Sequence, residues 1–205
     1  MGIWKIKDAD KGIFTVKNAH KTSGLYFPLT NTQGCILSCI TPNLSGDLKT
    51  DINHFLNYPQ TVYDLEAASS TRTLWLKYNG KTVNTSPLYT EPKQLEVEAG
   101  PLYHIIRSRV DILDIEILNF VPEKLSAEVM RFTVTNRGSK TLSINAVFAM
   151  PLFCRSADNL RDHRHVTALL SRSSVNANGI TVRPTMAFDE RGHTVNTTEY
   201  FAYGY

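Results

Sequence analysis

Apolar and polar residues alternate with a period of two over much of this chain, in short runs separated by turn chemistry. Such runs cover residues 12–17 (GIFTVK), 25–30, 34–40, 72–78 (RTLWLKY), 94–98 and 103–110. Further runs cover 111–120, 128–135 (EVMRFTVT), 141–150, 166–172, 179–183 and 199–203. In 111–120, Asp111, Asp114 and Glu116 are separated by Ile112, Ile115 and Ile117, which predicts one half-buried strand. Asn79-Gly80 behind RTLWLKY predicts a type I′ hairpin. Ala99-Gly100-Pro101 predicts another, and residues 173–178 read as a polar turn. No segment carries convincing amphipathic helical spacing; the best, 62–69, is about two turns long. The pattern predicts an all-β, antiparallel sandwich filling residues 1–205 as a single domain.

Two stretches break the alternation. Residues 41–68 read as a long loop with turn clusters at Thr41-Pro42-Asn43, Ser45-Gly46-Asp47 and Asn57-Tyr58-Pro59. Its aromatic residues, Phe55, Tyr58 and Tyr63, favour an ordered loop. Residues 153–165 are polar and dense in charge. Long loops on a β scaffold commonly carry function.

Composition narrows the class. The 205 residues can bury a core without disulfide or metal support. Hydrophobic residues make up 42% and charged residues 20%, the balance of a globular protein. The net charge is only +3 and its Lys and Arg are dispersed, so no nucleic-acid track is expected. No apolar run approaches the ~18 residues of a membrane span. The N-terminal ten residues alternate charged and apolar residues and lack a signal-peptide core. Three cysteines do not make a disulfide framework. Cys35 and Cys39, on one expected strand, would lie ~13 Å apart, beyond the reach of a bridge. Free buried thiols and a cytoplasmic location are therefore expected, and the sequons at Asn43, Asn84 and Asn196 carry no weight.

Candidate chemistry concentrates in RSADNLRDHRHVT, where Arg155, Asp158, Asn159, Arg161, Asp162, His163, Arg164 and His165 crowd together. An extended His163–His165 would point both imidazoles to one face, as metal ligands could. The flanking Arg161 and Arg164 would repel a cation, and no third ligand is evident. A self-paired ion cluster is the plain alternative. A loop reaching a polar ligand is the other, because Arg suits anions while Asp, Asn and His suit sugar hydroxyls. Asp47-x-Lys49-x-Asp51-x-Asn53 resembles the start of a calcium loop. Lys49 occupies a ligand position, and the required Gly and closing Glu are missing. No nucleophile elbow is present, and carboxylate spacing alone selects no catalytic pair.

Three segments together carry a family resemblance: FPLTNTQGCILSCITPNLSGDLKTDINHFL, EVMRFTVTNRGSKTLSINAVFAMPLF and RSADNLRDHRHVTALLSR. They resemble the N-terminal β-supersandwich domain of the cellobiose phosphorylase family of glycoside phosphorylases (glycoside hydrolase family 94). The long second loop resembles the β-1,2-oligoglucan phosphorylase branch, or a near relative of it, more than cellobiose phosphorylase itself. The resemblance implies a larger enzyme in which linker helices, an (α/α)6 catalytic barrel and a small C-terminal β domain follow. It implies inverting phosphorolysis of β-linked gluco-oligosaccharides, with inorganic phosphate as co-substrate and no other cofactor. Phosphate is itself the nucleophile, so one carboxylic acid suffices. That acid belongs to the barrel, so no catalytic residue is assigned here and the chain alone is expected to be inactive.

The resemblance further implies packing on the parent's own barrel, a homodimer, and a loop of the β domain that approaches the substrate site. Candidates for that loop are Arg155 to His165 first, and Asp47 to Phe55 second, with Asp47, Lys49 and Asp51 as its candidate residues. The chain is shorter than a usual supersandwich and ends in the aromatic strand YFAYGY, so a truncated C-terminus is expected. Three alternatives stand beside this reading. One is a free-standing carbohydrate-binding sandwich with Trp4, Trp75 and Tyr78 as an aromatic row. The second is the equivalent domain of a barrel-type glycoside hydrolase, and the third is an unrelated structural sandwich.

Overall fold

The computed structural model describes residues 3–22, 24–67, 72–160, 169–189 and 192–205. It is dominated by antiparallel strands, as an all-β supersandwich requires. The chain divides into two compact units. The first comprises residues 1–46 and 60–151, the second residues 47–59 and 152–205.

The first unit is built on a six-stranded sheet of β1 (Ile3–Asp8), β2 (Ile13–Lys17), β9 (Gln94–Gly100), β10 (Tyr103–Val110), β11 (Leu113–Phe120) and β12 (Val129–Asn136), in that spatial order. A three-stranded sheet places β7 (Thr73–Tyr78) between β13 (Asn145–Ala149) and β8 (Lys81–Asn84). The strands β3 (Phe27–Thr30) and β4 (Leu37–Ile40) pair with Phe27 opposite Ile40. The period-two pattern decides what is buried: Leu113, Ile115 and Ile117 point inward, while Asp114 and Glu116 point out. One apolar cluster joins Val97, Ile106, Ile115 and Ile117 of the large sheet to Leu76, Tyr78 and Val83 of the small one.

A buried ion pair fixes the loop before β7. Arg72 is 1% exposed, and its Nε lies 2.8 Å from the Glu128 carboxylate. Its remaining nitrogens donate to the carbonyls of Gly46 (2.7 Å) and Cys39 (3.0 Å). Ser38 Oγ also donates to Glu128. Gly46 has φ +121°, and a Cβ there would stand 2.0 Å from the Cys39 carbonyl oxygen, so only glycine fits.

The structure corrects several boundaries. Asp111 and Ile112 form the two-residue turn between β10 and β11, with Asp111 at φ 53°, so the strand begins at Leu113. Asn79 and Gly80 both have positive φ, as a type I′ turn requires. The N-terminal alternation forms the edge strand β1, whose lysines discourage further pairing. Cys35 precedes β4 in a turn, where Asn31 Nδ2 lies 2.9 Å from its sulfur. Cys35 and Cys39 are half-buried, Cys154 is buried, and all three are free thiols. Tyr78 belongs to the core and Trp75 packs on Tyr89, so no single aromatic row forms with Trp4.

The second unit holds β14 (Ser171–Asn176), β15 (Gly179–Pro184) and β18 (Tyr200–Tyr203) in one sheet, and β16 (Met186–Asp189) paired with β17 (Gly192–Val195). Of the strand expected over 166–172, residues 166–168 lie outside the described residues and Leu169 and Leu170 belong to no strand; β14 starts at Ser171 and runs on to Asn176, through what reads as a polar turn. Asn176 Oδ1 accepts from the amides of Asn178 and Gly179 and closes the hairpin there. Residues 41–68 are not all loop. They contain β5 (Leu48–Asp51) and β6 (His54–Phe55) in this unit, and α1 (Val62–Ala67) in the first.

Candidate functional site

The two polar stretches singled out in the sequence meet inside the second unit. β5 and β6 form a short hairpin whose tip is the segment from Asp51 to His54. Asp51 Oδ1 accepts from the Asn53 amide at 2.7 Å, which tightens the turn. The chain following Leu152 then lies against β6. Phe55 N donates to Arg155 O at 2.9 Å, and Arg155 N to Phe55 O at 3.2 Å. The Ala157 amide donates to Ile52 O at 3.0 Å, and Ser156 Oγ to Asn53 Oδ1 at 3.2 Å. Ser156 Oγ also accepts from the Asp158 amide and so starts a 3-10 turn, Ala157–Leu160.

The side chains form distinct pairs. Lys49 Nζ lies 3.2 Å from Asp47 Oδ2 and 4.6 Å from the centre of the Phe55 ring. Positive groups therefore sit where a calcium loop needs oxygens. Asp51 holds His54 Nδ1 at 2.8 and 2.9 Å from its two oxygens. Burial by itself would raise the Asp51 carboxyl, but the bonds from His54 and Asn53 outweigh it and hold it below its ordinary value. A carboxylate can only accept, so the bond runs from Nδ1–H of His54 to Asp51.

Behind the hairpin the surroundings become apolar. The Arg155 guanidinium covers the Phe153 ring at 4.7 Å, and Tyr58 meets that ring edge-on at 5.4 Å. Burial lowers the Arg155 guanidinium from its ordinary value. Cys154 is 1% exposed, and burial pushes its thiol up to about 12, so it is no nucleophile at neutral pH. Burial likewise raises the Tyr200 hydroxyl, helped by Cys154 and Asp51. That hydroxyl has no hydrogen-bond partner among the described residues.

Asp47, Lys49, Asp51, Arg155 and Asp158 are thus brought into one unit. Asn159 lies in the 3-10 turn, and nothing is described of its side chain. Arg161, Asp162, His163, Arg164 and His165 lie outside the described residues, and the two-histidine metal reading lies there with them. His54 and Ser156 fall inside the two candidate loops, but sequence reasoning does not single them out there. The i, i+3 spacing of Asp51 and His54 around Ile52-Asn53 is the signal that could have marked the first.

The family model described as "Glycosyl hydrolase 94, supersandwich domain" matches residues 72–199. No curated protein matches the chain. No helix among the described residues is long and apolar enough to cross a membrane.

Proposed function

The chain belongs to the glycosyl hydrolase 94 supersandwich-domain family, and on that premise we propose that it is the non-catalytic β domain of an inverting glycoside phosphorylase acting on β-linked gluco-oligosaccharides. Its role is to pack on the parent's catalytic barrel, to take part in a homodimer and to shape the substrate site. The convergence of the β5–β6 hairpin with residues 155–158 carries this reading, because it gathers Asp51, His54, Ser156 and Asp158 on a hydrogen-bonded scaffold. Such a cluster offers both donors and acceptors to sugar hydroxyls. The catalytic acid lies in the barrel, and inorganic phosphate supplies the nucleophile there.

The test has two arms. The chain by itself, given β-gluco-oligosaccharides and phosphate, releases no sugar 1-phosphate; measurable release would overturn the non-catalytic assignment. In the parent enzyme, Asp51→Ala and Arg155→Ala raise the Michaelis constant for the oligosaccharide or weaken the dimer. A parent in which neither quantity moves would remove the hairpin from the site.

A further inference from the structure

The β14–β15–β18 sheet has two unlike faces. Ile180, Val182 and Tyr200 turn toward the small core of the second unit. The alternate positions turn the other way, and register places them in rows: Arg172 opposite Arg183, Ser174 opposite Thr181 and Phe201, and Gly179 opposite Tyr203. Phe201 and Tyr203 are 42% and 40% exposed, and their ring centres lie 5.1 Å apart. Their neighbours form an open depression of about 370 Å³.

This aromatic pair is held in place. The Tyr203 hydroxyl lies 2.9 Å from Thr181 Oγ1 and accepts from Asn176 Nδ2 at 3.3 Å. Arg183 is paired with Glu199. Arg172 donates to the backbone carbonyls of Leu169 (2.8 Å) and Ser171 (3.2 Å). Two guanidinium groups directly across a strand pair repel each other, and Glu199 offsets only the one on Arg183.

Different ligands would use this face differently. An inorganic anion would engage the arginines and leave both rings idle. An apolar peptide would bury charges without partners. A polynucleotide would bring phosphates against the Glu199 carboxylate. A pyranose has one flat C–H face for an aromatic ring and a rim of hydroxyls that both donate and accept. The depression supplies the Tyr203 ring, guanidinium donors, a carboxylate acceptor and hydroxyls, and Phe201 stands beside it against Tyr203.

We propose that this face is a non-catalytic saccharide-binding surface, on which a gluco-oligosaccharide lies along β18 with its rings on Phe201 and Tyr203. It is separate from the hairpin cluster, and only the choice of a gluco-oligosaccharide as the saccharide rests on the proposed function.

The test is calorimetric and NMR titration of the 205-residue chain with a β-linked glucotetraose, and separately with inorganic phosphate. The tetraose is expected to bind, Phe201→Ala to weaken it about tenfold, and Arg172→Ala to weaken it several-fold. Val175→Ala, on the opposite side of β14, should leave affinity unchanged. Phe201→Trp should retain binding. If Phe201→Ala does not fold, Phe201→Leu, apolar but without a ring, decides instead. Absence of tetraose binding by the folded chain would overturn the proposal, as would binding that survives loss of the ring. Phosphate binding at the arginines without any sugar response would likewise overturn it and make the face an anion site.

Discussion

The two units solve the same folding problem with different materials. The first buries a continuous apolar cluster drawn from both of its sheets. The second has a small core of Cys154, Val182 and Tyr200, with Leu56, Leu152 and Ile180 packed against it. Its hairpin is instead tied down by polar bonds, such as Leu48 N to Asn57 Oδ1 at 2.7 Å and Ser156 to Asn53. Arg72 in the first unit is tied to Glu128 and to two backbone carbonyls. A unit with a large apolar interior is held by packing, while one with a thin core depends more on the polar bonds of its loops.

The largest expected effect falls on the first unit. Arg72→Met leaves Glu128 buried and unpaired and should cost about 3–5 kcal/mol in a urea titration. A cost under about 1 kcal/mol would mean that the pair does not organise this unit. Next comes a matched pair of truncations. Ile117→Ala should cost about 2–5 kcal/mol, and Ile180→Ala, only partly buried in the second unit, under about 2 kcal/mol. Equal losses would erase the contrast between the cores.

A third effect is pH-dependent. Burial, with the Arg72 charge, pushes the His104 imidazole down to about 3. The unfolded chain takes up this proton near pH 6.5, and the folded chain only near pH 3. Stability from this site is therefore complete above pH 6.5 and is lost as pH falls through that window. A loss of about 2 kcal/mol by pH 5 is expected, and His104→Gln should flatten the curve. An unchanged pH profile in that variant would assign the acid sensitivity elsewhere. The smallest effect is expected from Asp51→Asn. Asp51 is half-exposed, and its loss should lower stability by less than about 1 kcal/mol in a urea titration; a larger loss would mean that the Asp51–His54 pair organises the hairpin.

Legibility in the sequence followed local physics. Alternation identified β10 and β12 to within a residue at each end, because one face of each is buried and register is then strongly specified. Asn79-Gly80 announced its turn because few other residues accept two positive φ values in succession. The sequence also marked residues 41–68 and 153–165 as the places where the sheet pattern stops. It read β5 and β6 as loop because four- and two-residue strands are too short to show a period.

What the sequence by itself determined was the all-β class and the segments dense in polar chemistry, since these rest on neighbouring residues and on composition, while the family was legible only as a resemblance carried by three segments. Only the tertiary structure decided which distant segments meet. Phe55 with Arg155 and Arg72 with Glu128 are pairs separated by many residues, and no local propensity encodes them. It also decided that Phe201, Tyr203, Arg172 and Arg183 share one sheet face. That outcome depends on the register of three strands, which hydrogen bonding across the sheet fixes and linear spacing does not.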